Sequence, residues 1–278
     1  MKRILTLALA SALALPALAH AEKGSPLWLR HQQISPDGSQ IAFCYKGDIY
    51  TVPTAGGQAL RLTSNAAYDG TPIWSPDSRS LAFSSDREGS KDVYIVKADG
   101  SGLRRLTYSS EKEVPVAFLD GSTLLFQSYV MPDVKDGMYP WDWFVQTYSL
   151  DLSKTIARPK LYGAYPMLMP SLRGGEILYT DVKGYEDIWR KHAISPVTRD
   201  IWLRSKDGKH TKLTTFGGED RNAVWDNKGG FYYLSEREGS FNVYHRDAAT
   251  AAAADTKITS FTKDPVRFLS IASNGTLC

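Results

Sequence analysis

The sequence SDREGSKDVY at residues 85–94 returns as SEREGSFNVY at residues 235–244, about 150 positions later. Two copies of one segment so far apart indicate that the chain repeats itself, and internal repeats are the first fold signal to look for. A wider motif surrounds the first copy. From Ile34 the chain reads ISPDG, then IAF, GDIY and RLT, and from Trp74 it reads WSPDS, then LAF, DVY and RLT. A spacing of about 40 residues therefore defines the repeating unit.

Each part of the unit favours a strand or a turn. Ser-Pro-Asp-Gly is typical of a tight turn, because proline presets φ and aspartate bonds to nearby backbone. The short β-branched and aromatic runs favour strands, and Gly56-Gly57 and Asp99-Gly100 favour further hairpin turns. Four strands in a unit of about 40 to 45 residues are typical of a propeller blade. We therefore predict an all-β protein, a β-propeller of four-stranded antiparallel blades of the WD40-like or TolB-like type.

Weaker copies of the unit open near Pro115, Pro170 and Val224, and a last hairpin begins near Phe268. We predict five complete blades and the start of a sixth, in a six-bladed propeller over residues 22–278. The sequence stops inside the sixth unit, which would leave a strand without its partner. We therefore expect a fragment, truncated in its last blade, of a protein whose further domains follow Cys278.

The first 21 residues have the pattern of a secretory signal peptide. Lys2 and Arg3 precede an apolar stretch at residues 4–18, and Ala19-His20-Ala21 resembles a cleavage site. The apolar stretch is too short to favour a membrane span. We predict export to the periplasm or the medium, with no membrane span once the peptide is removed.

Composition disfavours nucleic acid as a partner. The formal charge of +3 includes Lys2 and Arg3, so the mature chain is nearly neutral. Two cysteines, Cys44 and Cys278, leave two interpretations open. They form a disulfide in an oxidising compartment or, as we favour, they are small apolar fillers with free thiols.

Catalytic patterns are missing from the sequence. It contains no Gly-x-Ser-x-Gly, no His-Glu-x-x-His, no Cys-x-x-Cys and no phosphate-binding glycine loop. The histidines of the mature chain lack metal-ligand spacing, and prominent serines such as Ser35 and Ser75 lie in predicted turns. We predict no catalytic residue, no metal site and no cofactor in this chain.

Two stretches break the repeat and are candidates for gating of substrate. Residues 129–145 are rich in aromatic side chains, including Trp141 and Trp143. Such residues anchor interfaces, although packing of these rings onto their own blade is the interpretation we favour.

The second stretch, residues 183–202, carries the basic residues Arg190, Lys191, His192 and Arg199. These side chains could line a channel mouth and attract carboxylates. Alternatively, and as we favour, the stretch is a solvated loop whose charges pair with Glu186, Asp187 and Asp200.

The chain resembles the N-terminal propeller of tricorn-type proteases. The resemblance rests on Leu27-Trp28-Leu29-Arg30, on the ISPDG turn, on Ala66-Ala67-Tyr68-Asp69, on the segment at residues 85–89, and on the insertion that ends in Thr198-Arg199-Asp200-Ile201-Trp202. It extends through essentially the whole mature chain, and the insertion is its most specific part.

This resemblance implies an exported serine peptidase with a second propeller, a PDZ-like module and a distal catalytic domain. It implies that this segment is a scaffold and gate, with peptides and the remaining domains as its partners and with a homo-oligomer as a further expectation. No catalytic residue of that family has a counterpart here. Two alternatives remain: a periplasmic TolB-like binding module, and the propeller of a dipeptidyl-peptidase-type α/β-hydrolase.

Overall fold

A computed structural model describes residues 28–129, 145–184, 192 and 194–278. Within these ranges, twenty strands form five antiparallel sheets of four strands each. In every sheet the strands follow the order of the chain, so that each blade consists of four consecutive strands. The predicted fold class, five complete blades with the start of another, is confirmed. The predicted total of six blades goes beyond these five sheets and stays a prediction.

The strands of the first two blades are β1 (Arg30–Ile34), β2 (Gln40–Tyr45), β3 (Asp48–Pro53), β4 (Leu60–Arg61), β5 (Asp69–Trp74), β6 (Ser80–Glu88), β7 (Ser90–Lys97) and β8 (Arg104–Arg105). Those of the third and fourth blades are β9 (Glu113–Phe118), β10 (Thr123–Ser128), β11 (Gln146–Asp151), β12 (Lys160–Gly163), β13 (Leu168–Arg173), β14 (Glu176–Thr180), β15 (Ile201–Arg204) and β16 (His210–Lys212). The fifth blade contains β17 (Asp220–Trp225), β18 (Phe231–Ser235), β19 (Asn242–Arg246) and β20 (Asp255–Lys257).

The Ser-Pro-Asp motif closes the first hairpin of a blade through its side chains. The Ser35 hydroxyl donates to Asp37 at 2.5 Å and accepts the backbone N–H of Gln40 at 3.0 Å. Ser75 makes the same two bonds in the second blade, at 2.5 and 2.9 Å. Gly38 has a φ of 77°, which only glycine adopts without strain. The motif thus has a structural role in the turn.

The threonine of the Arg-Leu-Thr motif joins the end of the fourth strand to the third strand of its blade. The fourth and fifth blades have Lys-Leu-Thr (212–214) and Lys-Ile-Thr (257–259) at this place. In four blades the threonine hydroxyl accepts the backbone N–H of a residue on the third strand, in the pairs Thr63–Ile49 (3.0 Å), Thr107–Val93 (2.8 Å), Thr214–Ile201 (3.0 Å) and Thr259–Val243 (2.9 Å). A buried amide N–H without a partner is costly, so these threonines are part of the fold.

The core lies between the faces of neighbouring blades. Ala42 and Ile49 of the first blade pack with Phe83 and Tyr94 of the second. Equivalent apolar clusters join the second blade to the third and the fourth to the fifth, and a smaller one around Met167 joins the third to the fourth. Burial of apolar surface is the main stabilising term, and here it is spread around the ring.

A hairpin at residues 268–278 fills the gap between the fifth blade and the first. Ile271 and Leu277 pair in its antiparallel bridge. Toward the first blade, the Ser270 hydroxyl accepts the backbone N–H of Ile34 at 3.0 Å. Toward the fifth blade, the Asn222 amide bonds to both the N–H and the C=O of Leu269, at 2.8 and 3.0 Å. The ring is therefore closed by non-covalent contacts.

Strand order also decides which connections share a face. Four antiparallel strands in sequence place the second-to-third and the fourth-to-first connections at one end of the blade. Both departures from the repeat begin and end on this face. Residues 129–145 are flanked by the ends of β10 and β11, and residues 181–200 by the ends of β14 and β15. We call it the insertion face.

Candidate functional site

A cavity of about 470 Å³ lies at the centre of the ring. The first strand of each blade contributes to its wall, together with residues of the hairpin at 268–278. Prolines are frequent in the wall, at positions 36, 72, 76, 115 and 170. Pro36 and Pro76 lie in turns, whereas Pro72, Pro115 and Pro170 lie on first strands. Each first strand is an edge strand toward the axis, where proline is tolerated. We refer to this space as the axial cavity.

Four wall residues share an unusual backbone conformation. His31, Thr71, Met169 and Asn222 have φ values of 55°, 50°, 48° and 54°. Each lies in a bulge of its strand, where the register shifts against the second strand of the blade. Positive φ is strained for such side chains, and clusters of strained residues often mark functional sites.

These four residues occupy equivalent positions, each four residues before the residue that starts the first turn of its blade. In the third blade the same position is Pro115, which also lines the axial cavity and whose ring excludes positive φ. The sequence analysis did not predict this set of equivalent wall positions. Only the constant distance to the turn could have indicated it.

Most polar side chains of the wall are already bonded to the protein. Asn222 bonds to Leu269, as described above, and the Gln127 amide donates to the C=O of Met167 at 2.7 Å. The Thr71 hydroxyl donates to the C=O of Gly70 at 2.8 Å, and the Ser171 hydroxyl accepts the N–H of Trp225 at 3.1 Å. The bonds of Asn222, Gln127 and Ser171 join neighbouring parts of the ring, whereas that of Thr71 stays within its own strand.

His31 is the titratable side chain of the described wall. Its ring lies 4.8 Å from that of Phe268, which belongs to the closing hairpin. Burial lowers the pKa of the imidazole, and the positive charges of Arg30 and Lys91 act in the same direction. The wall is therefore uncharged at neutral pH over the described residues.

Of the predicted gating residues, Trp141, Trp143, Arg190 and Lys191 lie outside the described residues. The structure brings the other two, His192 and Arg199, toward carboxylates on the neighbouring fifth blade.

The His192 imidazole bonds to Glu236, and the Arg199 guanidinium lies 3.7 Å from Glu219. Asp200, which the sequence offered as a partner for the basic residues, pairs with Lys183 and with Lys212, the latter at 2.8 Å. Their role in gating stays a prediction.

Glu219 also binds Arg221, a largely buried arginine of the same blade. Arg221 lies 3.2 Å from Glu219, and its guanidinium lies 4.0 Å from the centre of the Phe241 ring. Burial lowers the pKa of Arg221, whereas the Glu219 charge raises it. His192, Arg199 and Arg221 with Glu219 and Glu236 thus form a mixed-charge cluster on the insertion face.

The repeated charged hairpins form structural ion pairs. In the second blade, Arg87 donates to both carboxylate oxygens of Asp69 at 3.0 Å and lies 4.5 Å from the centre of the Tyr94 ring. In the fifth blade, Arg237 lies 3.5 Å from Asp220 and 4.6 Å from the ring centre of Tyr244. Both aspartates are fully buried. Because removal of one partner would leave a buried charge, these hairpins serve the fold.

Glu113 holds the corresponding position in the third blade, at the start of the first strand, and is also fully buried. Its pKa is raised to about 7 by burial, and the nearby charge of Asp92 acts in the same direction. Arg105, which lies 2.9 Å from Asp92, lowers it by a smaller amount. Burial thus brings the pKa of Glu113 close to neutral pH.

A small pocket of about 210 Å³ lies between the third and fourth blades. The His210 ring bridges two phenols there, with Nε2 2.9 Å from the Tyr165 oxygen and Nδ1 2.8 Å from the Tyr179 oxygen. Asp181 accepts the indole N–H of Trp202 at 2.9 Å. These groups satisfy one another and join the two blades.

The described residues contain no group of three or more potential metal ligands. In the same ranges, no helix is long and apolar enough to cross a membrane. Cys44 and Cys278 are both free thiols, and Cys44 is buried, with its sulfur 3.1 Å from the C=O of Asp69.

Comparisons with known proteins agree with this architecture. The profile of the tricorn protease N-terminal beta propeller domain matches residues 26–277. Tricorn protease homolog 1 of Streptomyces coelicolor is 25% identical over 228 residues, which cover 80% of this chain and 20% of the homologue. The chain thus spans about a fifth of that relative.

Two solved structures show the same fold. The crystal structure of the tricorn protease gives a TM-score of 0.70 at 19% identity, over 88% of this chain and 24% of the protease chain. The structure of a putative TolB from Agrobacterium tumefaciens gives a TM-score of 0.62 at 16% identity, over 82% of this chain and 79% of the other.

Proposed function

The chain belongs to the family of tricorn protease N-terminal β-propeller domains, and we propose that it is the scaffold and peptide gate of an exported tricorn-like serine peptidase. The observation that supports this most directly is the axial cavity, which the first strands of all five blades surround. A ring with a central space can restrict access to catalysis elsewhere in the polypeptide by its width and chemistry.

The proposal includes the arrangement of the whole protein. Residues 1–21 are a signal peptide that is removed on export, and residues 22–278 belong to a six-bladed ring in which the hairpin at 268–278 is the inner half of the last blade. Hydrolysis is carried out by a C-terminal domain, with peptides as substrates. The signal-peptide pattern in residues 1–21 supports export. Assembly into a homo-oligomer is a further part of the proposal.

Two features support a gating role for the insertion face. The mixed-charge cluster around Glu219 and Glu236 lies there, as do the ends that flank both departures from the repeat. Charged groups at an entrance steer charged ligands. A peptide that approaches from this face would therefore meet charges before it reaches the neutral cavity.

An antibody against residues 28–278 tests the proposal on fractionated cells of the source organism. We expect a periplasmic or secreted polypeptide several times larger than the 30.8 kDa of this chain, and peptidase activity that is depleted with it. A stable product near 30.8 kDa without peptidase activity would favour the TolB-like binding module. A cytoplasmic product would contradict export. Purified residues 22–278 alone are expected to hydrolyse no peptide.

A further inference from the structure

The wall of the axial cavity is chemically uniform. Each described residue that lines it is either apolar or polar and uncharged at neutral pH. Trp74, Phe118 and Phe268 supply aromatic surface, and valines and isoleucines supply much of the rest. Arg30 and Lys91 carry the charges that act on His31, which belongs to this wall.

The side chains of the wall offer little to a charged ligand. The hydrogen-bonding groups of Asn222, Gln127, Thr71 and Ser171 are committed to other parts of the protein. A charge that enters would lose part of its hydration without gaining an ion pair, and this loss is costly. A neutral side chain would instead exchange water for apolar contact.

The length of the wall limits what can lie inside it. A strand contributes at most five residues to it, as in residues 114–118 of β9, and five residues span roughly 17 Å at about 3.3 Å per residue. An extended peptide longer than this places its charged ends beyond the wall residues while its middle lies within the cavity. A dipeptide would have to bury its charged ends.

We propose that the axial cavity binds the uncharged, apolar middle of an extended peptide and excludes charges of either sign. The peptide as ligand rests on the proposed function, whereas the exclusion of charge follows from the wall itself. His31 is the residue that sets this neutrality, since it faces the wall beside Phe268 and is the group there that could become charged.

Thiol-reactive probes of different charge test the exclusion. Val116→Cys places a reporter in the wall on β9, and Thr256→Cys places a matched reporter on the exposed strand β20. Cys278→Ser serves as the background, with the buried Cys44 retained and measured as a blank. Each reporter is treated with a neutral, an anionic and a cationic methanethiosulfonate, and the rate of cysteine modification is measured for each. The rates with the anionic and the cationic reagent are then divided by the rate with the neutral reagent, which gives an anionic and a cationic ratio.

We expect both ratios at Val116→Cys to be at least about tenfold lower than at Thr256→Cys, a factor that corresponds to about 1.4 kcal/mol. His31→Asp in the same background is expected to restore the cationic ratio and to leave the anionic ratio low. Equal ratios at the two positions would overturn the proposal. A wall reporter that reacts more slowly with one charged reagent and faster with the other would overturn it as well. Ser171→Cys on β13 provides a second wall reporter if Val116→Cys fails to fold.

Protection of the reporter tests the ligand. A blocked peptide of about eight alternating alanine and leucine residues, longer than the cavity at about 3.3 Å per residue, is expected to slow the neutral reagent at Val116→Cys but not at Thr256→Cys. The same peptide with a central lysine or glutamate is expected to give no protection. Equal protection by all three peptides would contradict the choice of ligand. These readouts need no peptidase, so they are independent of a failure of the proposed function.

Discussion

Arg87 and Arg237 share three contacts, although their blades lie 150 positions apart in the sequence and Arg237 also bonds to Asp255 at 2.9 Å. The Nε of each donates to a serine hydroxyl at 2.9 Å, and each guanidinium lies over a tyrosine ring. Each also faces a fully buried aspartate at the start of the first strand of its own blade. The arginine of each charged hairpin therefore compensates the charge of a buried aspartate.

Arg87→Ala is expected to lower the free energy of unfolding by about 3 to 5 kcal/mol, because it leaves the Asp69 charge buried without its partner. Chemical denaturation measures the loss. Arg79→Ala, at an exposed position of the same blade, should change stability by less than about 0.5 kcal/mol. Addition of Asp69→Asn to Arg87→Ala should recover part of the loss. Equal stability of Arg87→Ala and Arg79→Ala would contradict a structural role.

Glu113 is expected to make stability depend on pH near neutrality. Its pKa is about 7 in the folded protein and 4.5 without the fold, so the folded state binds more protons between these values. The free energy of unfolding should therefore fall as the pH rises from about 4.5 to 7, and the difference corresponds to roughly 3 kcal/mol at full effect.

Glu113→Gln should flatten this dependence, so that the variant is more stable than the parent at pH 8 and similar to it at pH 4.5. Urea denaturation across this pH range makes the comparison, with Glu111→Gln two positions away as the control. Parallel pH profiles for the parent and Glu113→Gln would show that another group is responsible.

Asn222 is expected to control closure of the ring. Asn222→Gly removes both hydrogen bonds to Leu269 while it tolerates the φ of 54°. We expect a loss of about 1 to 3 kcal/mol from two hydrogen bonds in a buried site, and faster amide hydrogen exchange at residues 268–274. Asn227→Gly removes a single exposed bond to Ser273 and should have a smaller effect. Unchanged exchange in Asn222→Gly would contradict this account of closure.

Arg199 is expected to influence which peptide ends are accepted. In the complete polypeptide, Arg199→Glu places a second carboxylate beside Glu219 and should lower kcat/KM for peptides with a free C-terminus relative to amidated ones. A change of about fivefold corresponds to about 1 kcal/mol, the upper range for a partly exposed pair. Arg104→Glu on the outer strand β8 is the control. If both variants kept the parental ratio, gating by this loop would be excluded.

The repeat in the sequence predicted the blades well because their turns depend on local chemistry. Ser35, Asp37 and the threonines after the fourth strands bond within a few residues or within one blade, so they recur as a readable pattern. The equivalence of the two charged hairpins was also predicted. Their acidic partners were not, since Asp69 and Asp220 precede the arginines by 18 and 17 positions, and the pairing depends on how the blade folds.

Residue type alone could not predict the four equivalent wall positions of the axial cavity, His31, Thr71, Met169 and Asn222. The four side chains share no chemistry, and their common feature is a backbone bulge. Prediction of the site concentrated on the charged and aromatic departures from the repeat. Four of the six residues named there lie outside the described residues, and the other two, His192 and Arg199, are paired with acids of the fifth blade.

The prolines of the wall affect any peptide that enters the axial cavity under the proposed function. Every blade turns the open edge of a strand toward the axis, and open edges add further strands readily. Pro72, Pro115 and Pro170 lie on three of these edges, and a proline has no N–H with which to continue a ladder. On these three edges an extended peptide would therefore be hindered from pairing as an added strand.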